Sequence, residues 1–181
     1  MRNFIQIVEK LAPSKRIDAE YRLEKAGYHE LGTGAYGVVY KKPGAPYVLK
    51  LFDTVDESYT RFIQLAQSHP NPHFPRFLGK TLRVNDEYSA IRIEELKSID
   101  NSLIASFDFV PLDTFLYNVE TYIKAYNIPT PNKTNTFAWG RISAVREWVS
   151  KYPDLKIACD LIAEMVHKYG CILDLKDENL M

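Results

Sequence analysis

Three glycines set between two β-type runs constrain the fold of this chain more than any other stretch. Gly32-Thr33-Gly34-Ala35-Tyr36-Gly37 follows a short β-type run at residues 28–31 and precedes another at 38–40, so the glycines belong to a strand–loop–strand unit. A phosphate loop of the Walker type needs Lys and Ser or Thr directly after its last glycine, and here Val38 and Val39 follow instead. A dinucleotide-binding turn needs a helix after the glycines, and the β-branched pair continues as a strand. Two readings remain. One is a hairpin whose glycines let the backbone approach phosphates without side-chain clash; the other is an ordinary β-hairpin turn. The loop alone does not separate them.

The rest of the chain places this hairpin in an α+β framework. Phe4, Ile5, Val8 and Leu11 recur at helical spacing, Pro13 interrupts, and Ser14 can cap a second helix through Ile17, Tyr21 and Leu23 that stops at Gly27. Lys42-Pro43-Gly44-Ala45-Pro46 is a strong turn signal, and residues 47–51 read as a third strand. Thr54-Val55-Asp56-Glu57 fits a capping box opening a helix to about Ser68, with Tyr59, Phe62, Ile63 and Ala66 as its apolar face. His69-Pro70-Asn71-Pro72 breaks that helix. Strands are expected near 81–84 and 88–94, with Asn85-Asp86 turning between them, and helices near 112–125, 136–151 and 155–169. Trp139, Ile142, Val145 and Trp148 read as the core face of one helix, and Cys159 as a packed residue of the next.

Two positions carry further chemistry. Lys50 ends Val48-Leu49-Lys50, thirteen residues after Gly37, where a compact ammonium suits a phosphate. The helix after it offers no obvious carboxylate partner. Glu57 occupies the capping-box position and lies about 200° around the helix from Tyr59, away from the apolar face. Near the other end, Asp174-Leu175-Lys176-Asp177-Glu178-Asn179 spaces an aspartate, a lysine two residues on and an asparagine five residues on. In a site for phosphoryl transfer, such an aspartate takes or orients the attacking hydroxyl's proton, the lysine stabilises the transferring group, and the asparagine binds magnesium.

Glycine loop, lysine and D-L-K-x-x-N segment occur in one order, and from Gly32 onward the chain resembles eukaryotic-type Ser/Thr protein kinases, most closely the early kinases of T7-like bacteriophages. The resemblance implies a protein-kinase-like α+β fold: residues 1–27 a helical extension, 28–96 a small antiparallel β-sheet lobe, and 97–181 a partial helical lobe ending at the catalytic loop. It implies ATP and Mg as ligands. Gly32, Gly34, Gly37, Val38, Lys50, Glu94 and Leu96 would bind nucleotide, with a hinge at Glu94-Glu95-Leu96; Asp174 and Lys176 would be catalytic, and Asn179 would hold the metal. The resemblance implies transfer to Ser or Thr of a protein. Lys176 favours protein kinases over aminoglycoside-type kinases, which usually lack that lysine.

The departures from the family are equally specific. Ile172-Leu173 stands where the family has His-Arg, which removes the usual anchor for an activation-loop phosphate. After Asn179 only Leu180 and Met181 follow, without the family's D-F-G aspartate. The expectation is a Ser/Thr protein kinase, complete or as a fragment, whose activity needs a completed C-lobe; a second chain that completes the lobe in trans is a variant. The alternative is a catalytically inactive kinase-fold module that binds a partner protein.

Composition excludes other classes. Lys plus Arg and Asp plus Glu both number 23, a balance that argues against nucleic acid as a partner. No window approaches a membrane span, the start lacks a signal-peptide run, and the two cysteines form no disulfide framework, so a cytoplasmic location is expected. His69 with His73, and His167 with Cys171, lack the company a zinc site needs. Tyr117, Tyr122 and Tyr126, with only Lys124 beside them, read as helix packing rather than a base-stacking surface.

Overall fold

In the computed structural model the described residues are 16–34, 37–95, 111–128 and 136–171. They fold as α+β, with a five-stranded antiparallel sheet and five helices. The elements in chain order are α1 (Arg16–Lys25), β1 (His29–Gly34), β2 (Gly37–Lys41), β3 (Tyr47–Asp53), α2 (Glu57–Ser68), β4 (Phe77–Arg83), β5 (Tyr88–Glu94), α3 (Leu112–Lys124), α4 (Thr136–Ser150) and α5 (Pro153–Tyr169). They divide into two compact units. One holds the described residues through Ser68 together with Pro75–Glu95, and the other holds His69–Phe74 and the described residues beyond Glu95.

In the first unit the strand order is β1-β2-β3-β5-β4. Central β3, Tyr47-Val48-Leu49-Lys50-Leu51-Phe52-Asp53, is apolar almost throughout because both of its faces are covered. Leu49 and Leu51 join Ala19 and Leu23 of α1, together with Val38, Tyr40 and Ala90, in one core. Val48 and Phe52 pack on the opposite face with Ile63 of α2 and with Ile91 and Ile93 of β5. The helix that the sequence reading set apart as an extension therefore supplies one side of the sheet's own core.

Local chemistry fixes the ends of the elements. After α1, the Tyr28 amide donates to the Leu23 carbonyl and the Gly27 amide to the Glu24 carbonyl, both at 2.9 Å, with Gly27 at φ 85°. This is a Schellman closure, in which a left-handed residue turns the chain out of the helix. Between β2 and β3 the Ala45 amide reaches the Lys42 carbonyl at 3.0 Å over Pro43 and Gly44 (φ 75°), the pattern of a type II turn. Asn85 closes the β4–β5 hairpin by accepting from the Glu87 and Tyr88 amides at 2.8 and 2.7 Å.

The start of α2 differs from expectation. Its cap is Asp56, whose Oδ1 accepts the Tyr59 amide at 2.9 Å. Thr54, expected to cap, instead shares a 3.1 Å hydrogen bond with Ser89 of β5. Both residue types can cap, and the helix begins at Glu57, which gives the role to the residue immediately before it. Strand β4 begins four residues before its predicted start, because Gly79 at φ 83° and a register shift between Leu78 and Leu82 interrupt its alternation.

The second unit is helical. Val119, Tyr122 and Ile123 of α3, Val145 and Val149 of α4, and Leu155, Cys159 and Ala163 of α5 form its core. Pro153 opens α5, and Gly170 at φ 65° ends it. The Tyr122 hydroxyl donates to Asp160 at 2.7 Å, and Lys156 pairs with the same carboxylate at 2.6 Å. The first predicted helix, through Phe4, Ile5, Val8 and Leu11, and the segment 172–181 lie outside the described residues.

Candidate functional site

The glycine unit folds as an antiparallel hairpin in which Gly34 pairs with Gly37 and Thr33 with Val38. Its glycines have different roles. A Cβ on Gly37 would meet the Leu51 carbonyl oxygen at 2.4 Å and the Phe52 Cα at 3.2 Å, so Gly37 is demanded by the close approach of β2 and β3. Gly32 would place its Cβ in open space, and Gly34 would make only an ordinary 3.9 Å contact. Packing does not require either of them. Strand β1 is exposed along its whole length, with a bulge at Leu31.

Lys50 sits mid-strand, paired across the ladder with Val39 of β2 and Ile91 of β5. Its side chain lies on the α2 face, half-buried, with Nζ 3.8 Å from the centre of the Tyr59 ring. Two edge-on rings hold that ring: Phe52 at 4.9 Å between centres and Phe77 at 6.1 Å. Burial pushes the Lys50 ammonium below the usual lysine range, and the negative charge of Asp56 works against that fall. Burial also pushes the Tyr59 phenol upward, with Asp56 adding to the rise.

Glu57 points away from this cluster, as its helical angle predicted. Its side chain is 82% exposed and faces Arg61 at 3.6 Å, a solvent-screened pair one turn on. Among the described residues no carboxylate lies within ion-pair distance of Lys50. The sequence reading missed Asp56 and Tyr59 as the groups around the lysine. The three-residue step from a strong N-cap former to an aromatic was the signal that could have found them.

Val38, expected beside the nucleotide, is 1% exposed in the core on the α1 face; Val39 shares the face of Lys50. The physical reason is the two-residue period of a strand: Val38 pairs with Leu51, so both turn away from Lys50. Glu94 ends β5 opposite Tyr47, with its carboxylate 3.5 Å from Arg76. Gly32, Gly34, Gly37, Val39 and Lys50 thus belong to one hairpin-and-strand unit, whereas Leu96, Asp174, Lys176 and Asn179 lie outside the described residues.

In the second unit, a shallow recess of about 330 Å³ is lined by Tyr126, Asn127, Glu164, His167 and Lys168. It holds none of the expected site residues. Among the described residues no group of three or more His, Cys, Asp or Glu side chains could hold a metal ion, and no described helix is long and apolar enough to cross a membrane. No protein-family model and no curated protein matches this sequence.

Proposed function

We propose that this chain is a protein-kinase-like ATP-binding protein that transfers a phosphoryl group from ATP to Ser or Thr of a protein. The observation that carries the reading is Lys50. It is a half-buried ammonium on the middle strand of an antiparallel sheet, two strands over from β1, which carries two glycines that packing does not require. A desolvated cation on the same sheet as a Cβ-free backbone suits a polyphosphate. In this reading the attacking hydroxyl oxygen bonds to the γ-phosphorus as the β–γ bridging bond breaks. Asp174 would take the hydroxyl proton, Lys176 would stabilise the transferring group, and ADP would leave. Asn179 would be a ligand of the magnesium ion, which supplies charge neutralisation for the phosphates.

A second reading has one observation in its favour. Lys50 has no carboxylate ion pair among the described residues, whereas an active kinase pairs this lysine with a helix glutamate. The chain would then be a kinase-fold module that binds a partner protein without catalysis. Thermal shift with ATP and magnesium, followed by transfer from γ-labelled ATP, separates the two. Lys50→Ala and Asp174→Ala serve as controls. A shift with transfer supports the kinase, a shift without transfer supports the binding module, and no ATP-dependent shift defeats nucleotide binding.

A further inference from the structure

A half-buried ammonium needs a partner, because desolvation disfavours its charge. Three kinds are available in a protein: a carboxylate, an array of carbonyl oxygens, or the face of an aromatic ring. The groups facing Lys50 can be read strand by strand. From β2 comes Val39 and from β5 Ile91, both apolar; from α2 comes Tyr59, and from the residue capping α2 comes the charge of Asp56. The contact at close range is the ring, 3.8 Å from Nζ.

That ring is built in rather than incidental. Phe52 meets it at an interplanar angle of 75° and Phe77 at 79°, so it is wedged from β3 and β4 at once. Its backbone is fixed at the first turn of α2 by the 2.9 Å bond from the Tyr59 amide to Asp56. One short motif, Asp56 to Tyr59, therefore sets where the helix starts and where the lysine rests.

We propose that Tyr59 is the positioning residue for Lys50, holding its ammonium by a cation–π contact in the place that protein kinases give to a helix carboxylate, and that an incoming polyphosphate draws the ammonium off the ring. An aromatic quadrupole attracts a cation without carrying net charge, so the lysine keeps its full charge for the ligand. Asp56, committed to the cap, tunes that charge from a distance. The first half of this proposal stands on the geometry alone; the second rests on the ATP-binding reading.

The test uses the full chain with its lysines reductively ¹³C-methylated and read by NMR. The Lys50 signal is assigned by its disappearance in Lys50→Arg. A methylammonium over a ring face experiences an upfield ring-current shift. That shift is expected in the unmodified sequence, retained in Tyr59→Phe, and lost in Tyr59→Leu while the other lysine signals stay in place. A Lys50 signal without upfield displacement in the starting protein overturns the positioning role. Titration with Mg-ATP should then move the Lys50 signal downfield. Tyr59→Leu should change Mg-ATP affinity by about fivefold, and Tyr59→Phe should rescue it. A ring-current shift that Mg-ATP leaves unmoved overturns the second half and the ATP-binding reading while leaving Tyr59 in its role. If Tyr59→Leu fails to fold, the comparison of starting protein and Tyr59→Phe with Lys50→Arg still decides the first half.

Discussion

At the scale of the residue, the glycines of one motif separate into those the fold needs and those it does not. Gly37→Ala forces a methyl group against the Leu51 carbonyl at 2.4 Å, and neither strand backbone can give way cheaply. Urea unfolding should show a loss of about 1–3 kcal/mol, typical of overpacking. Gly32→Ala and Gly34→Ala meet no such obstacle, and their stability should stay within about 0.5 kcal/mol of the starting protein. A fall in ATP affinity in those two variants would then report ligand contact rather than damage to the sheet. The cap of α2 gives a second comparison. Asp56→Ala should cost about 1 kcal/mol, whereas Asp56→Asn should cost little, since asparagine caps equally well. The sequence showed a capping signal here and a correct apolar face on the helix. It did not show which of two cap formers, Thr54 or Asp56, would be used, because that choice depends on Ser89, thirty-five residues away, engaging Thr54.

At the scale of the element, β3 was legible because a run of apolar residues between a Pro-Gly turn and a cap signal has few other solutions. Which helix covers which face was not legible, since it depends on pairing among strands far apart in sequence. That pairing sends Val38 to the α1 side and Val39 to the Lys50 side. Helix α1 is part of this solution. Leu23 is fully buried, and Leu23→Ala should destabilise the first unit by about 2–5 kcal/mol in urea melts. In the second unit, burial pushes the Cys159 thiol up to about 12, so Cys159 should resist thiol-specific reagents at pH 8 in the native protein and react only on unfolding, as peptide mapping of the labelled protein would show. Burial, followed by its hydrogen bond to Asp160, pushes the Tyr122 phenol up to about 12. A phenol whose pKa is higher folded than unfolded favours the folded state at low pH. Its contribution is full below about 10, the unfolded value, and is lost as the pH climbs through about 12. Alkaline melts should lose stability across that window, and Tyr122→Phe should flatten the loss.

At the scale of the whole molecule, a balanced charge of 23 cationic and 23 anionic residues leaves recognition to local groups rather than to a global field. The local group with the clearest chemistry is Lys50, and everything proposed for the chain passes through it. Spacing from the glycines placed it correctly on a strand. Its partner was hidden, because an aromatic on an apolar helix face reads as core until the lysine is seen above it. Isothermal titration calorimetry of Mg-ATP, into the starting protein and into Lys50→Ala, tests that centre most directly. Saturable one-site binding with a dissociation constant below about 1 mM, weakened by about tenfold or more in Lys50→Ala, is the expected result. An absence of binding in the starting protein, or equal affinity in the two, would contradict it.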